Sequence, residues 1–417
     1  MTTYVKFEGV ARVNKRRLYQ LCKKYVNASN INIVILCILI LIMVFKGFGQ
    51  EEYDFSSFFD VSIIFSFFLL FVCEVLANII SSWIMKRCED AVKLTEDYEK
   101  LNRKYCRESL ISYNKVQFPE ICLAKRKVGD KPFDMEFEFD VEHPVYQLPG
   151  QVADHSEELM EAHSYSTIYN NMNVRLNDCI QQGNKIKLLY SSTTYFDSLV
   201  TNRAMDHPIK GKSIREIYEP GPFLSSLSES KMSNHLGFNG FIELAEGKII
   251  FTHRNINVSI GKGTLSTSIS ASYKTVYGLD NQRHMTRKTL ANAIRMEIKD
   301  ELKIDTSKFK NLDESVFAFY RDIVEGGKPQ FLFYVKIPDL TVELFEKNFY
   351  SQMKDKVQKQ KDHSKVIIDG NRFEYFTIDD LRSFSYQPGG ITIHDGTFYR
   401  MMPSATASII MFLEAIG

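Results

Sequence analysis

The chain has 417 residues and a formal net charge of +1, from 52 Lys and Arg against 51 Asp and Glu. That balance excludes a global electrostatic attraction to a nucleic-acid polymer or to acidic partners, and the length leaves room for two domains, or for one large domain with attachments. The 7 cysteines, at positions 22, 37, 73, 88, 106, 122 and 179, form no CxxC pair and no other zinc spacing, which predicts a reduced, cytoplasm-facing soluble part.

Residues 1–30 are a basic segment carrying Lys6, Arg12, Lys15, Arg16, Arg17, Lys23 and Lys24. Two apolar runs follow, "INIVILCILILIMVF" (31–45) and "VSIIFSFFLLFVCEVLANIISSWIM" (61–85). Their length and near absence of charge predict a two-helix transmembrane hairpin over 31–85, with two buried core helices as the alternative. The runs lie too far from the start, and lack the small-residue cleavage site, expected of a signal peptide. Basic flanks before the first run and after the second (Lys86, Arg87), around the acidic connector "QEEYDFSSFFD" (50–60), put both termini in the cytoplasm by the positive-inside rule. Glu74 and Asn78, four apart on one helix face, either meet other protomers or line a lesion, or are satisfied within the hairpin.

Residues 86–110 read as a helical stalk. Ala91, Leu94, Tyr98, Leu101 and Tyr105 recur at 3-4-3-4 spacing, an apolar seam that either self-associates or packs on the chain's own body. Residues 111–234 form a β-rich N-terminal part of the cytoplasmic domain: alternating runs such as "FDMEFEFDVEHPVY" predict half-buried strands, 155–182 reads as helical, and "KIKLLYSSTTYFDSLVTN" as a strand turning into a short helix. The Ser-, Pro- and Gly-rich "EPGPFLSSLSESKMSN" (219–234) is the best linker candidate.

From 235 to 417 the elements alternate. "HLGFNGFIEL" and "KIIFTHR" flank Ala245-Glu246-Gly247 as a hairpin, a Ser/Thr/Gly-rich loop leads to a helix starting near Thr286, and "SVFAFYRDI" and "PQFLFYVKI" form a second hairpin over "VEGGK". "NRFEYFTIDDLRSF" is a strand entering a short helix, and a helix with Pro403 near its start closes the chain. The pattern predicts an α+β sandwich.

On the Thr286 helix, Leu290, Ile294, Ile298 and Leu302 make a core stripe, while Glu297, Asp300 and Glu301 gather on another face. Three such carboxylates either hold Mg²⁺ for phosphate chemistry or form a solvated acidic face. The stretch Met296–Ile304 resembles the Nudix box, a helix reading Arg-Glu-apolar-x-Glu-Glu-x-Gly-apolar. "EGKIIFTHR" (246–254) and "EYFTIDDLRSF" are similar to the hairpin and late strand-helix of such domains, and the resemblance spans about residues 185–417. Met296 stands at the box arginine and Lys303 at its closing glycine; the leading glycine and glutamate would fall at Gln282 and Lys288, and "SISASYK" (268–274) replaces the Pro-Gly-Gly entry. These departures argue against ordinary hydrolysis, because cations oppose Mg²⁺ and lost glycines remove close backbone approach to phosphate. The expectation is therefore no catalytic residues and no cofactor, with Glu297, Asp300 and Glu301 as Mg²⁺ ligands only if the box is active.

A two-span anchor, a helical connector and a Nudix-like α/β/α sandwich with a β-rich extension together resemble the transmembrane-Nudix effectors of bacterial cyclic-oligonucleotide antiphage signalling (CBASS). That resemblance implies a bacterial inner-membrane protein whose cytoplasmic domain binds a cyclic oligonucleotide and whose spans then oligomerise and damage the bilayer, with no nucleic-acid polymer as partner. A membrane-anchored Nudix hydrolase acting on a nucleoside-diphosphate-linked compound is the alternative. By analogy with a Nudix cleft, the candidate ligand contacts are Arg254, Lys262, Tyr273, Lys274, Tyr320 and Arg321, cations for phosphates and aromatic faces for bases. "GKG" around Lys262 lacks P-loop spacing, and His394-Asp395 with the scattered serines forms no recognisable triad.

Overall fold

The computed structural model describes residues 94–105, 110–161, 163, 169–255, 258, 260–359 and 370–417, without the side chains of 354–359 and 371. Val92–Gly417 forms one compact unit. Among the described residues, no helix is long and apolar enough to cross a membrane. This corrects the two-span fold class and the inner-membrane placement; what the structure contains is a body of mixed helix and sheet. The basic segment 1–30, the two apolar runs, the connector, Glu74, Asn78 and Ala91 lie outside the described residues.

The body opens with α1 (Tyr98–Lys104), whose N-cap Asp97 accepts a hydrogen bond from the Lys100 amide. Leu101 and Tyr105 are buried against Ile323 and Val324, with Leu94 and Tyr98 half-buried beside them. The Tyr105 hydroxyl donates to the Glu219 carbonyl at 2.7 Å. The described part of the seam is thus occupied by the chain's own body.

β1 (Glu120–Lys125) and β2 (Asp134–Phe139) follow, then β3 (Met172–Gln182) and β4 (Lys185–Thr194). The last 11 residues of the predicted 155–182 helix, Met172–Gln182, are therefore strand; among the described residues there, Ser156–Glu161 is helical. The physical reason is pairing. Gly183, at φ +61°, lets β3 turn straight back onto β4, and the two run antiparallel from Met172↔Thr194 to Gln182↔Lys185. β2 adds to β4 in parallel, making a three-stranded sheet. At the end of β4, α2 (Tyr195–Val200) starts on a capping box between Thr194 and Asp197. The stretch 219–234 contains no helix or strand but buries Glu219, Leu227 and Met232, so it is packed rather than a free linker.

The large sheet comprises β5 (Gly237–Glu243), β6 (Ile249–Arg254), β7 (Leu265–Ser266), β8 (Ile269–Ser272), β9 (Val316–Asp322), β10 (Lys328–Lys336), β11 (Gly370–Phe376) and β1. Its order is β7-β6-β5-β10-β9-β1, with β8 on β5 and β11 on β6. The β5–β10 pair is parallel, and the other pairs are antiparallel. Alternation along β5 and β10 sends Phe238, Ile242, Phe331 and Phe333 to one core and Phe241, Leu332 and Tyr334 to the other. Leu290, Ile294, Ile298 and Leu302 of the Thr286 helix cover the first core; the C-terminal helix Pro403–Ile416 covers the second, stacking Phe412 on Phe241 at 4.4 Å between ring centroids. Both faces of the sheet are thereby sealed, which leaves polar side chains at the strand ends as the accessible chemistry.

Candidate functional site

The Thr286 helix is α3 (Arg287–Glu297), with Thr286 as N-cap and a capping box to Thr289. It runs on as a π turn over Ile298–Leu302 and stops at Lys303, which is left-handed at φ 59°. A lysine thus occupies the backbone conformation for which a closing glycine is suited. Lys303→Gly should raise stability by about 0.5–1 kcal/mol, read as a higher urea midpoint; an unchanged or lower midpoint would show that its Nζ contact with the Asp300 carbonyl outweighs the backbone cost.

The three acids of this helix are engaged locally. The Lys274 ammonium lies 2.6 Å from the Glu297 carboxylate, whose side chain is 3% exposed. Burial pulls the Lys274 pKa down, but Glu297, then Glu301, outweigh it and the net shift is upward, so the lysine is charged. Asp300 accepts a hydrogen bond from the Tyr277 hydroxyl at 3.1 Å, and Glu301 accepts one from the Ser270 amide at 3.4 Å. Among the described residues, no group of three or more His, Cys, Asp or Glu side chains is arranged to hold a metal. A fixed ammonium in contact with Glu297 neutralises the charge a cation would need there.

The six candidate ligand residues separate. Tyr273 is fully buried, edge-on to Phe238 and Phe331, with its hydroxyl donating to the Gly278 carbonyl. Lys274 is committed to Glu297. Arg321 is buried and donates to the Gly327 and Ser225 carbonyls at 2.9 and 2.7 Å. Lys262 is half-buried in the loop before β7. Tyr320 is fully buried, its hydroxyl accepting from the Asn239 amide at 2.8 Å. Arg254, at the end of β6, lines a pocket.

That pocket has a volume of about 40 Å³ and polar walls. Arg203, from the turn after α2, Arg254, Glu325 and Lys328 supply its charges; Asn239 and Gln330, bonded to each other at 3.1 Å, supply neutral donors and acceptors. Met402, Ser404 and Ala405 contribute the N-terminal turn of α6 (Pro403–Ile416), which follows α4 (Val342–Lys359) and α5 (Ile378–Ser383). The Glu325–Lys328 turn needs Gly326 and Gly327, at φ +64° and +82°, to reverse β9 into β10 and bring the two charges together. Lys328 Nζ lies 3.1 Å from the Glu325 carboxylate and Arg203 Nε 3.6 Å from it. Arg203 also donates to the Tyr195 hydroxyl and sits 5.0 Å above that ring. Burial lowers the Lys328 pKa against the pull of Glu325. Burial also works to raise that of Glu325, but Lys328 and Arg203 hold it below the ordinary carboxylate range, so the pair is ionised.

Lys328, Gln330 and Asn239 escape the sequence reading because strand alternation absorbs them, and Arg203 and Glu325 because they lie in turns. "NGFIEL" and "KPQFLFYV" look like ordinary apolar hairpin arms; the signal was a polar residue interrupting each strand on the same face.

No family model matches the chain, and no curated protein matches it. Among solved structures, the chain is similar to the crystal structure of DR0079 from Deinococcus radiodurans, at 13% identity over 35% of this chain and 69% of that one, with a TM-score of 0.21. A likeness of that size carries neither fold nor activity across to this chain.

Proposed function

We propose that this protein is a receptor for a cyclic oligonucleotide in antiphage signalling, built on a Nudix-like frame that binds its ligand without hydrolysing it. The observation behind the non-hydrolytic reading is the Lys274–Glu297 contact at 2.6 Å, a protein cation at the acid that metal-assisted phosphate chemistry would use. The cationic pocket beside Arg254 supports the choice of an anionic ligand.

The test is to titrate the full-length chain with cyclic di- and trinucleotides, with linear dinucleotides and with nucleotide sugars, with and without Mg²⁺. A cyclic oligonucleotide should raise the melting temperature, by the equivalent of about 2.7 kcal/mol at a hundredfold excess over Kd, and be recovered intact. Turnover of a nucleoside-diphosphate compound at about 1 s⁻¹ or faster, lost in Glu301→Gln, would replace this reading with a hydrolase. Absence of a shift with every nucleotide would remove the receptor altogether.

A further inference from the structure

The pocket contains three cations and one carboxylate. Arg203, Glu325 and Lys328 are all buried, and Arg254 is half-buried at its edge. Glu325 balances one of these charges; Arg203 is held in addition by the Tyr195 hydroxyl and ring, and Arg254 by the Ile260 carbonyl at 3.3 Å, neutral contacts that leave the pocket with net positive charge. Asp322, which also acts electrostatically on Lys328, adds a second negative charge when ionised, and the cluster stays positive even then. The 14-residue helix α6 brings its positive end to the same cavity through Ser404 and Ala405. His235, wholly buried, experiences this field: burial first, then Lys328 and Arg203, push its pKa well below the usual imidazole value.

We propose that the pocket between the Glu325–Lys328 turn and the N-terminal end of α6 is a phosphoryl-binding subsite, in which Arg203, Arg254 and Lys328 take the anion and Glu325 is the resident counter-ion that it competes with. The subsite rests on the receptor reading above and gives that reading its phosphate contact. A volume of about 40 Å³ is several times the roughly 10–15 Å³ that one water requires. It suits the oxygens of one phosphoryl group and is too small for a base or sugar. The rest of a nucleotide therefore lies outside the pocket. Glu325 keeps Arg203 and Lys328 in place while the site is empty, at the expense of affinity, since it offers them the same charge as the ligand.

Inorganic pyrophosphate is the probe, titrated into the full-length chain at constant ionic strength with chloride as the balancing anion. The parent should show a saturable rise in melting temperature. Arg254→Gln should weaken the apparent Kd by about tenfold or more, since it removes a charge-assisted contact. Glu325→Gln, which retains the shape but removes the competing charge, should tighten it severalfold. A residue of structural importance alone could not produce that gain. No saturable response in the parent, an unchanged Kd in Arg254→Gln, or an unchanged or weaker Kd in a folded Glu325→Gln variant each overturns the subsite; should Glu325→Gln not fold, the Arg254 variant decides. A cyclic oligonucleotide that binds parent and Arg254→Gln equally would remove the subsite and leave the receptor. Saturable pyrophosphate binding with no response to any nucleotide would do the reverse.

Discussion

Lys274→Met is expected to destabilise the protein by about 3–5 kcal/mol at pH 8, because it strips the ammonium from a carboxylate that is already buried. Glu297 has a 3% exposed side chain, and Lys274 Nζ sits 2.6 Å from it. The carboxylate either stays ionised in an apolar setting or takes up a proton, and both routes draw on the stability of the fold. The loss should therefore shrink towards pH 5, where protonation is easier. Adding Glu297→Gln should recover most of it, since a neutral pair has no buried charge to compensate. Urea midpoints of the parent and the two variants at the two pH values measure this. Millimolar Mg²⁺ should not rescue Lys274→Met, given that Asp300 is bonded to Tyr277 and Glu301 to the Ser270 amide. Rescue by Mg²⁺ would mean that the lysine had been masking a working metal site, and the non-hydrolytic reading would fail.

Local chemistry was legible in the sequence wherever one residue type controls one backbone event. Thr286 caps α3, Pro403 opens α6, and the Ala245-Glu246-Gly247 turn joins β5 to β6, all as the sequence indicates. The stripe Leu290, Ile294, Ile298 and Leu302 is buried as its spacing requires. The misreading at 172–182 has the opposite cause. "MNVRLNDCIQQ" has no clean alternation, since Asn173, Arg175 and Asn177 are buried beside its apolar residues, the last two through tertiary bonds: Arg175 reaches the Ser230 carbonyl at 3.1 Å and Asn177 the Asp140 carboxylate at 2.6 Å. Such partners lie far along the chain and leave no local period to read.

The site was legible only in part for the same reason. Arg254 sits at a strand end that the hairpin pattern marks out, but Arg203 and Lys328 come from segments 125 residues apart in sequence and meet only through Glu325. Tyr273 and Tyr320 look like base-stacking faces in the sequence and are spent in the core. An aromatic beside a cation is as good a core residue as a ligand platform, and only burial distinguishes them.

Replacing Asp322 and Glu120 together by Asn and Gln should raise stability at pH 8 by a few kcal/mol, at about 1.36 kcal/mol for each pKa unit removed. The two carboxyls are register partners on the antiparallel pair β9–β1 and are 1% and 0% exposed. Neither Glu120 oxygen has a hydrogen-bond partner, whereas one Asp322 oxygen accepts the Glu325 amide at 3.2 Å, a bond that Asn can keep. Burial, then Glu325, pushes the Asp322 pKa up to about 7 despite Lys328, and burial with Asp322 raises that of Glu120 well above normal. A carboxyl with a raised folded pKa binds its proton more tightly in the native state than in the unfolded one. Its contribution to stability is thus complete below about pH 4 and is lost as pH climbs to about 7. His163 and His235 work in the other direction, since burial lowers both imidazoles and protonation in acid opposes folding. The parent's own pH profile mixes the two signs, so the informative quantity is the double variant minus the parent. That difference should be near zero at pH 4 and grow as the pH rises through about 7, where Asp322 loses its proton. A difference that is flat with pH, or that favours the parent at pH 8, would mean the pair is solvated or cation-bound in the folded protein, and the charge at the foot of the Glu325–Lys328 turn would have to be recounted.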